Sequence, residues 1–211
     1  MTGTKSLLSE KAIELILEFE VGGKAHYEKT LKNPIWPKGA SGITIGIGYD
    51  LGYNTQPVFL KDWQRLDKAS LERLKVCCGL KGVKAENVLN NVKDIVVPWE
   101  IAWDVFQNLT VPRYYESTRN AFPGLENLPA DAQGALVSLV FNRGGGMKDT
   151  PSGLSRLQMR NIRDLVPNKD LKGIAEQIRE MKDLWKGKEI EKGMARRRDA
   201  EAALLEKATK S

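Results

Sequence analysis

The sequence predicts an α+β protein that is mostly helical, with a small N-terminal β-region and a larger helical lobe. Three observations support this class. An apolar stripe at helical spacing follows Ser9, and glycines crowd the segment between Gly22 and Asn54 beside β-branched residues. Beyond Phe59, apolar runs are divided by proline and glycine, which is typical of successive helices.

Length and composition favour one globular unit. The 211 residues suffice for one domain or a tightly joined pair of lobes, and a hydrophobic share of 41% argues against intrinsic disorder. Without repeats or low-complexity linkers, we expect a single domain over residues 1–211, with the N-terminal helix and β-region in 1–58 and the helical lobe in 59–211. No apolar run reaches the roughly 18–20 residues of a membrane span, and no secretory signal opens the chain.

The first helix is predicted to begin after Ser9, a suitable N-cap, and to end at the paired glycines Gly22 and Gly23. Glu20 lies in its last turn beside Phe19, where we expect partial burial. Burial raises the pKa of a carboxyl group, and a general acid needs a proton to donate near neutral pH. A solvated charge at a helix end is the alternative interpretation of this residue.

The most informative stretch is Ser41–Gly52, which reads Ser-Gly-Ile-Thr-Ile-Gly-Ile-Gly-Tyr-Asp-Leu-Gly. On one straight strand, Thr44 and Asp50 would lie ~20 Å apart at ~3.3 Å per residue. Gly46 and Gly48 permit positive φ, so we predict a hairpin bend that brings the two polar residues opposite each other. The residues alone leave open a tight hairpin without chemistry.

The remaining helices are predicted from proline and glycine punctuation. They are Leu60–Val76, Trp99–Phe122 with a break near Pro112, Pro129–Arg143, Gly153–Leu165, Lys172–Trp185 and Gly193–Lys207. Pro129 suits the first turn of its helix, and Gly144 suits the stop.

The excess of basic over acidic residues is compatible with several kinds of binding partner. Lys and Arg number 33 against 27 Asp and Glu, a formal net charge of +6, which suits nucleic acid, a membrane surface or an anionic cell wall. The run Arg196-Arg197-Arg198 points in different directions on a helix, and Asp199 and Glu201 follow it. We therefore expect at least one of these arginines in a structural salt bridge rather than in a nucleic-acid patch.

The few cysteines and histidines limit which disulfides, metal sites and catalytic triads the chain could form. Cys77 and Cys78 are adjacent, which argues against a disulfide framework and gives no metal-ligand spacing. His26 is the only histidine, so a zinc site or a Ser-His-Asp triad lacks partners. We expect neither a metal nor a cofactor.

A family resemblance rests on the order of the residues discussed so far. Glu20, Tyr27 seven residues later and the Thr-Ile-Gly-Ile-Gly of 44–48 together resemble phage-type lysozymes, the muramidase endolysins. The flanking residues 41–43 and 49–52 look more like the branch that includes pesticin-like bacterial toxins. Weaker matches lie at 135–144, at Trp185 and at 193–201. The resemblance implies a lysozyme-like fold over most of the chain.

The resemblance also implies roles for individual residues. Glu20 matches the catalytic acid, and Thr44 matches the threonine that helps place the attacking water. The phage enzymes carry a second carboxylate nine residues after the acid, and Lys29 occupies that position here. Asp50, six residues after Thr44 as in the toxin-like branch, is the expected substitute, with Glu28 as the less favoured alternative.

Three aromatic residues are expected to contact substrate. Phe141 matches a substrate-contacting aromatic of the family, although a helix-core position is an equally good interpretation. Tyr49 belongs to the hairpin motif, and Trp36 lies in the Pro34–Pro37 loop, where its ring could stack on a sugar. The remaining tryptophans are expected to pack between helices.

The implied activity is hydrolysis of the β-1,4 bond between N-acetylmuramic acid and N-acetylglucosamine, with inversion favoured. The expected partner is bacterial peptidoglycan, for a monomer without stable membrane association, and an immunity or inhibitor protein is added if the protein is a delivered toxin. Without a signal peptide, it would be made in the cytoplasm and reach the wall through a pore, a lysis protein or a secretion system. Alternatives are an inactive wall-binding protein, suggested by Lys29, and a basic nucleic-acid-binding helical protein, suggested only by charge.

Overall fold

The computed structural model describes residues 7–149 and 153–208. They are mostly helical with a single two-stranded antiparallel sheet, which confirms the α+β class. The α-helices are α1 Glu10–Val21, α2 Gly23–His26, α3 Gln56–Asp62, α4 Lys68–Leu74, α5 Val83–Leu89, α6 Trp99–Val105, α7 Val111–Ala121, α8 Ala130–Arg143, α9 Leu157–Leu165, α10 Leu171–Glu180 and α11 Glu191–Ala208. The strands are β1 Thr44–Ile45 and β2 Tyr49–Asp50. The π-helical turns are Tyr27–Leu31 and Phe106–Thr110, and the 3₁₀ turns are Leu51–Tyr53, Lys75–Cys77, Leu125–Asn127, Val166–Asn168 and Met181–Trp185.

The described residues divide into two compact units. Unit 1 comprises the described parts of Met1–Ile16 and Pro112–Ser211, and unit 2 is Leu17–Val111. These boundaries differ from the division after residue 58 that the sequence suggested, because the helices α3 to α6 belong to the same unit as the hairpin. The single-domain organisation of the whole chain stays a prediction.

Helix α1 begins and ends where the sequence predicts. The Ser9 hydroxyl accepts a hydrogen bond from the Ala12 amide at 3.2 Å, which confirms the N-cap. Gly22 and Gly23 have φ of 64° and 82°, so the α1 ladder ends there. The prediction of strands and turns directly after Gly22 is wrong, because α2 and a π-helical turn fill 23–31.

The long helix predicted over Leu60–Val76 is in fact two short helices, α3 and α4. Asp67 causes the restart, since its carboxylate accepts a hydrogen bond from the Ser70 amide at 2.9 Å and so caps α4. Helix α5, which follows Gly82, was not predicted. The break expected near Pro112 takes the form of the π-helical turn Phe106–Thr110. A change in the hydrogen-bond ladder suits this place because Pro112 has no amide hydrogen to donate.

In unit 1, α8 is the most deeply buried helix, with nine buried residues among its fourteen. The predicted stop at Gly144, with φ of 70°, is confirmed, whereas the helix begins at Ala130, so Pro129 is its N-cap and not part of its first turn. A Cβ on Gly134 would lie 2.0 Å from the Ala12 Cβ, so the first part of α1 packs directly on α8. Helix α11 packs against both α8 and α10.

The arginine run of α11 is largely internal. Arg197 and Arg198 are 4% and 0% exposed, and Nε of each lies 3.2 and 3.0 Å from the buried Glu201 carboxylate. The Ser138 hydroxyl donates to the same carboxylate at 2.7 Å. The expected structural salt bridge is confirmed, and only Arg196 of the run is exposed. Within 7–149 and 153–208, no helix has the length and apolarity to cross a membrane.

Candidate functional site

The hairpin of unit 2 has the predicted geometry. Strands β1 and β2 are antiparallel, and their register pairs Thr44 with Asp50. Gly46 and Gly48 have φ of 57° and 72°, a backbone region that side chains disfavour. The bend therefore depends on the two glycines, and it places the two polar residues opposite each other as expected.

Packing imposes a second requirement on Gly46. A Cβ at this position would lie 2.5 Å from Cη2 of Trp63, whose ring is completely buried. The hairpin backbone thus rests directly on the Trp63 ring, which fixes the bend against the core of unit 2.

Thr44 is held from both sides of its strand. Besides its pairing with β2, its amide donates to the Ile35 carbonyl at 2.8 Å, and the Ile35 amide donates back at 3.0 Å. This bridge attaches the 35–37 segment to the hairpin, so Thr44 has a fixed backbone position.

The Asp50 carboxylate binds backbone amides on both sides of the hairpin. It accepts a hydrogen bond from the Gly52 amide at 2.7 Å and from the Gly42 amide at 3.1 Å to each oxygen. A Cβ on Gly42 would lie 2.4 Å from Asp50 Oδ1, which explains the glycine there. Asp50 therefore ties Gly42 to Gly52, a structural role that sequence reasoning did not anticipate.

A pocket of about 230 Å³ lies within unit 2. Its lining consists of Glu20, Val21, Leu31, Ile35, Pro37, Thr44, Gly46 and Gly48. The pocket brings together Glu20, which is half-buried as expected, and Thr44. Asp50 is absent from this lining, although it pairs with Thr44 across the hairpin.

Two of the aromatic residues predicted to contact substrate, Trp36 and Tyr49, differ in how exposed their side chains are. The half-buried Trp36 lies between the lining residues Ile35 and Pro37, and its indole donates to the Ser41 carbonyl at 3.0 Å. Tyr49 is only 5% exposed, because its hydroxyl donates to Asp62 at 2.8 Å and its ring packs edge-on against Trp63. Tyr49 therefore packs in the core of unit 2 and has little ring surface for the substrate contact expected of it.

Other predicted residues lie outside the pocket lining. Phe141 belongs to α8 in unit 1, where it is half-buried and its ring stacks on Tyr114 at a centroid distance of 4.1 Å. Its contact with substrate stays a prediction. Glu28 and Lys29 are both exposed, and the Glu28 carboxylate lies 3.7 Å from Lys24 Nζ.

Tyr27, which contributed the spacing from Glu20, is completely buried. Its hydroxyl donates to the Val97 carbonyl at 2.9 Å, and its ring packs edge-on against Trp99. Burial raises the pKa of this hydroxyl, so it remains a donor at any physiological pH. Tyr27 thereby anchors the turn that carries Leu31 into the pocket wall.

Sequence reasoning missed the apolar wall of the pocket, formed by Leu31, Ile35 and Pro37. Ile35 offers the one usable signal, since it is a large apolar residue that is 38% exposed. An exposed apolar side chain beside a carboxyl group and a hydroxyl is typical of a binding cleft. That signal requires coordinates, because exposure is not visible in the sequence.

The pocket combines a carboxyl group, a hydroxyl, apolar walls and bare glycine backbone. Such a set can transfer a proton, orient water and accept an extended polymer close to the main chain. Among the described residues, no three His, Cys, Asp or Glu side chains are grouped so that they could hold a metal ion.

Comparison with known proteins gives one family. A family model described as "Domain of unknown function (DUF8812)" matches residues 16–122, a range that contains every residue of the pocket lining. No curated protein matches the chain.

Proposed function

The chain belongs to the DUF8812 family, which is described as a domain of unknown function, and from its pocket we propose that it is a peptidoglycan hydrolase of the muramidase type. The enzyme would have a lysozyme-like fold and cleave the β-1,4 bond between N-acetylmuramic acid and N-acetylglucosamine. One observation carries the proposal. Glu20 and Thr44 line the same pocket, in the order and hairpin setting that the muramidase resemblance requires.

Glu20 is the general acid in this proposal. From its half-buried position in the pocket lining, its carboxyl group would protonate the glycosidic oxygen as the bond breaks.

Thr44 would place the attacking water. Its backbone is fixed by Ile35 on one side and Asp50 on the other, so Thr44 has a defined place in the pocket lining. Asp50 contributes the second carboxylate of the proposal. Hydrogen bonds from the Gly42 and Gly52 amides hold this carboxylate in place, and a negative charge across the hairpin from Thr44 would stabilise an oxocarbenium-like transition state.

The shape of the pocket supports an extended glycan as substrate. Gly46 and Gly48 present backbone without side chains, and Ile35 and Pro37 offer apolar surface to the faces of sugar rings. Trp36, located between those two residues, is the aromatic best placed to stack on a sugar.

The test is digestion of isolated peptidoglycan by Glu20→Gln, with Glu18→Gln as the matched control. Glu18 is an exposed glutamate on the same helix, outside the pocket lining. Loss of a general acid lowers a rate by roughly 10²- to 10⁴-fold, so Glu20→Gln should release almost no reducing ends while Glu18→Gln stays near wild type. Equal clearing by Glu20→Gln would refute the assignment of the acid.

Product analysis defines the reaction. Mass spectrometry should find a reducing muramic acid end, whereas an anhydro-muramic end would identify a lytic transglycosylase instead. Proton NMR of the fresh product should show the α-anomer if the reaction inverts the β-linkage.

A second candidate is a wall-binding protein without catalysis. It is favoured by Asp50, whose carboxylate binds backbone amides and does not line the pocket, and by the exposed Lys29 at the usual carboxylate position. Sedimentation with peptidoglycan in the absence of any released reducing ends would identify this function.

A further inference from the structure

A second pocket, of about 340 Å³, lies within unit 1, and we name it the arginine pocket after Arg143 and Arg156 in its lining. Trp185, Ile190 and Met194 supply apolar walls. None of its lining residues belongs to the pocket of Glu20 and Thr44, so any ligand it takes is a separate question from the proposed muramidase activity.

Arg143 is an unusual residue for the end of a helix because it is only 8% exposed. One terminal nitrogen, Nη2, donates to the Ser155 carbonyl at 2.8 Å. The other, Nη1, is buried and has no hydrogen-bond partner among the described residues. A buried donor on a cation that lacks an acceptor costs free energy, and such groups are usually satisfied by water or by a ligand.

The charge of Arg143 has no ion-pair partner among the described residues. Glu201 pairs with Arg197 and Arg198, and the charge of Asp149 acts on Arg156, while within 7–149 and 153–208 no carboxylate lies within ion-pair distance of the Arg143 or Arg156 side chains. Burial, followed by repulsion from Arg156 and Arg198, lowers the pKa of Arg143 to about 10. An anion in the pocket would offset both effects.

The Trp185 ring defines one side of this environment. The guanidinium carbons of Arg143 and Arg198 lie 5.4 and 5.8 Å from its ring centre, within the range of a cation–π interaction. The N–H groups of a guanidinium lie in its plane, in a fork that matches the two oxygens of a carboxylate or phosphate group.

We propose that the arginine pocket binds an oxyanion, a carboxylate or phosphate group carried on an apolar body. Arg143 and Arg156, the two arginines of the lining, supply the positive charge and the N–H donors for its oxygens. The apolar part of the ligand contacts the four apolar side chains that the lining joins to its two cations, which are Leu154, Trp185, Ile190 and Met194.

The experiment uses the full chain and follows the Trp185 indole resonance by NMR during titration with three probes. These are phenylacetate, phenyl phosphate and the neutral phenylacetamide. At least one anion should shift the resonance in a saturable way, and the amide should bind at least about tenfold more weakly, because it lacks the charge. Which anion binds more tightly distinguishes a carboxylate source from a phosphate source.

Variants assign the effect to the two arginines. Arg143→Met should weaken anion binding by about tenfold or more, and Arg156→Met should weaken it severalfold. Arg163→Met, an exposed arginine of α9 outside the lining, is the matched control and should bind as wild type does. If Arg143→Met fails to fold, two other variants test the proposal. Arg143→Lys keeps the charge but loses the planar fork, and Arg156→Met removes the second charge, so both should weaken anion binding.

Three results would overturn the proposal. The first is no saturable shift with either anion, and the second is equal binding of phenylacetamide. The third is that Arg156→Met and a folded Arg143 variant, measured separately, both bind the anion as tightly as wild type.

Discussion

Replacement of Asp50 by alanine tests whether this carboxylate holds the hairpin together. The side chain accepts hydrogen bonds from two backbone amides, Gly52 at 2.7 Å and Gly42 at 3.1 Å. In Asp50→Ala both amides lose their acceptor, and the link between the chain before β1 and the turn after β2 disappears.

The expected cost follows from these contacts. Hydrogen bonds to a charged group contribute roughly 1.5–3 kcal/mol each, so two donors set an upper limit of about 6 kcal/mol. Because Asp50 is half-buried, water can replace part of the lost bonding. We therefore expect Asp50→Ala to lower the free energy of unfolding by about 2–4 kcal/mol. Asp50→Asn should lower it by less, since the amide keeps one acceptor oxygen.

The assay combines urea unfolding with hydrogen exchange at the Gly42 and Gly52 amides, the two sites that the carboxylate protects. Asp67→Ala is the control because Asp67 accepts a single backbone bond, from Ser70 at 2.9 Å. Loss of that cap should cost roughly 0.5–2 kcal/mol and leave exchange at the hairpin unchanged.

The reasoning is refuted if Asp50→Ala unfolds within about 0.5 kcal/mol of wild type, the range of an ordinary surface substitution. Unchanged exchange of Gly42 and Gly52 would refute it equally. If Asp50→Asn remains folded, its rate on peptidoglycan then reports the chemical contribution of the carboxylate separately from its structural one.

Three further predictions concern packing, buried charge and pH. Gly46→Ala should destabilise by about 1–3 kcal/mol more than Gly79→Ala in urea unfolding, because both have positive φ but only the former clashes, with Trp63. Glu201→Gln should cost about 3–5 kcal/mol in thermal unfolding, since it removes the buried negative charge that pairs with both Arg197 and Arg198, and a change below 1 kcal/mol would contradict this role. Burial raises the pKa of the Cys77 thiol from 9.0 to about 11, so the unfolded chain ionises first and stability should fall as pH rises between those values. In Cys77→Ala, the free energy of unfolding should fall less steeply with pH over this range. An unchanged slope would mean that other groups cause the pH dependence.

Local chemistry made the hairpin predictable from sequence. Gly46 and Gly48 lie two residues apart between β-branched residues, and their positive φ in the structure follows from properties that glycine has anywhere. The same is true of Ser9 at the start of α1 and of Gly144 at the end of α8. Each of these features depends on the residue itself and a few neighbours.

Features that depend on distant residues were not predictable. Tyr49 looks like any aromatic beside a site until Asp62 and Trp63 cover it. Likewise, the role of the Asp50 carboxylate depends on how closely Gly42 and Gly52 approach it. The sequence predicts which residues could act, whereas burial and partner choice come from tertiary packing that one sequence does not encode locally.

The pairing of residues 27–33 with 95–97 has a consequence for folding order. Tyr27 and Asn33 bond to the carbonyls of Val97 and Ile95, and the Val97 amide donates to the Lys32 carbonyl at 2.7 Å. These contacts span 62 to 70 residues, so they close a long loop. Closing the loop costs chain entropy, and the contacts stabilise the structure only after it is closed. The hairpin can form from neighbouring residues during synthesis, but the wall around Leu31 must wait until residue 97 has been made.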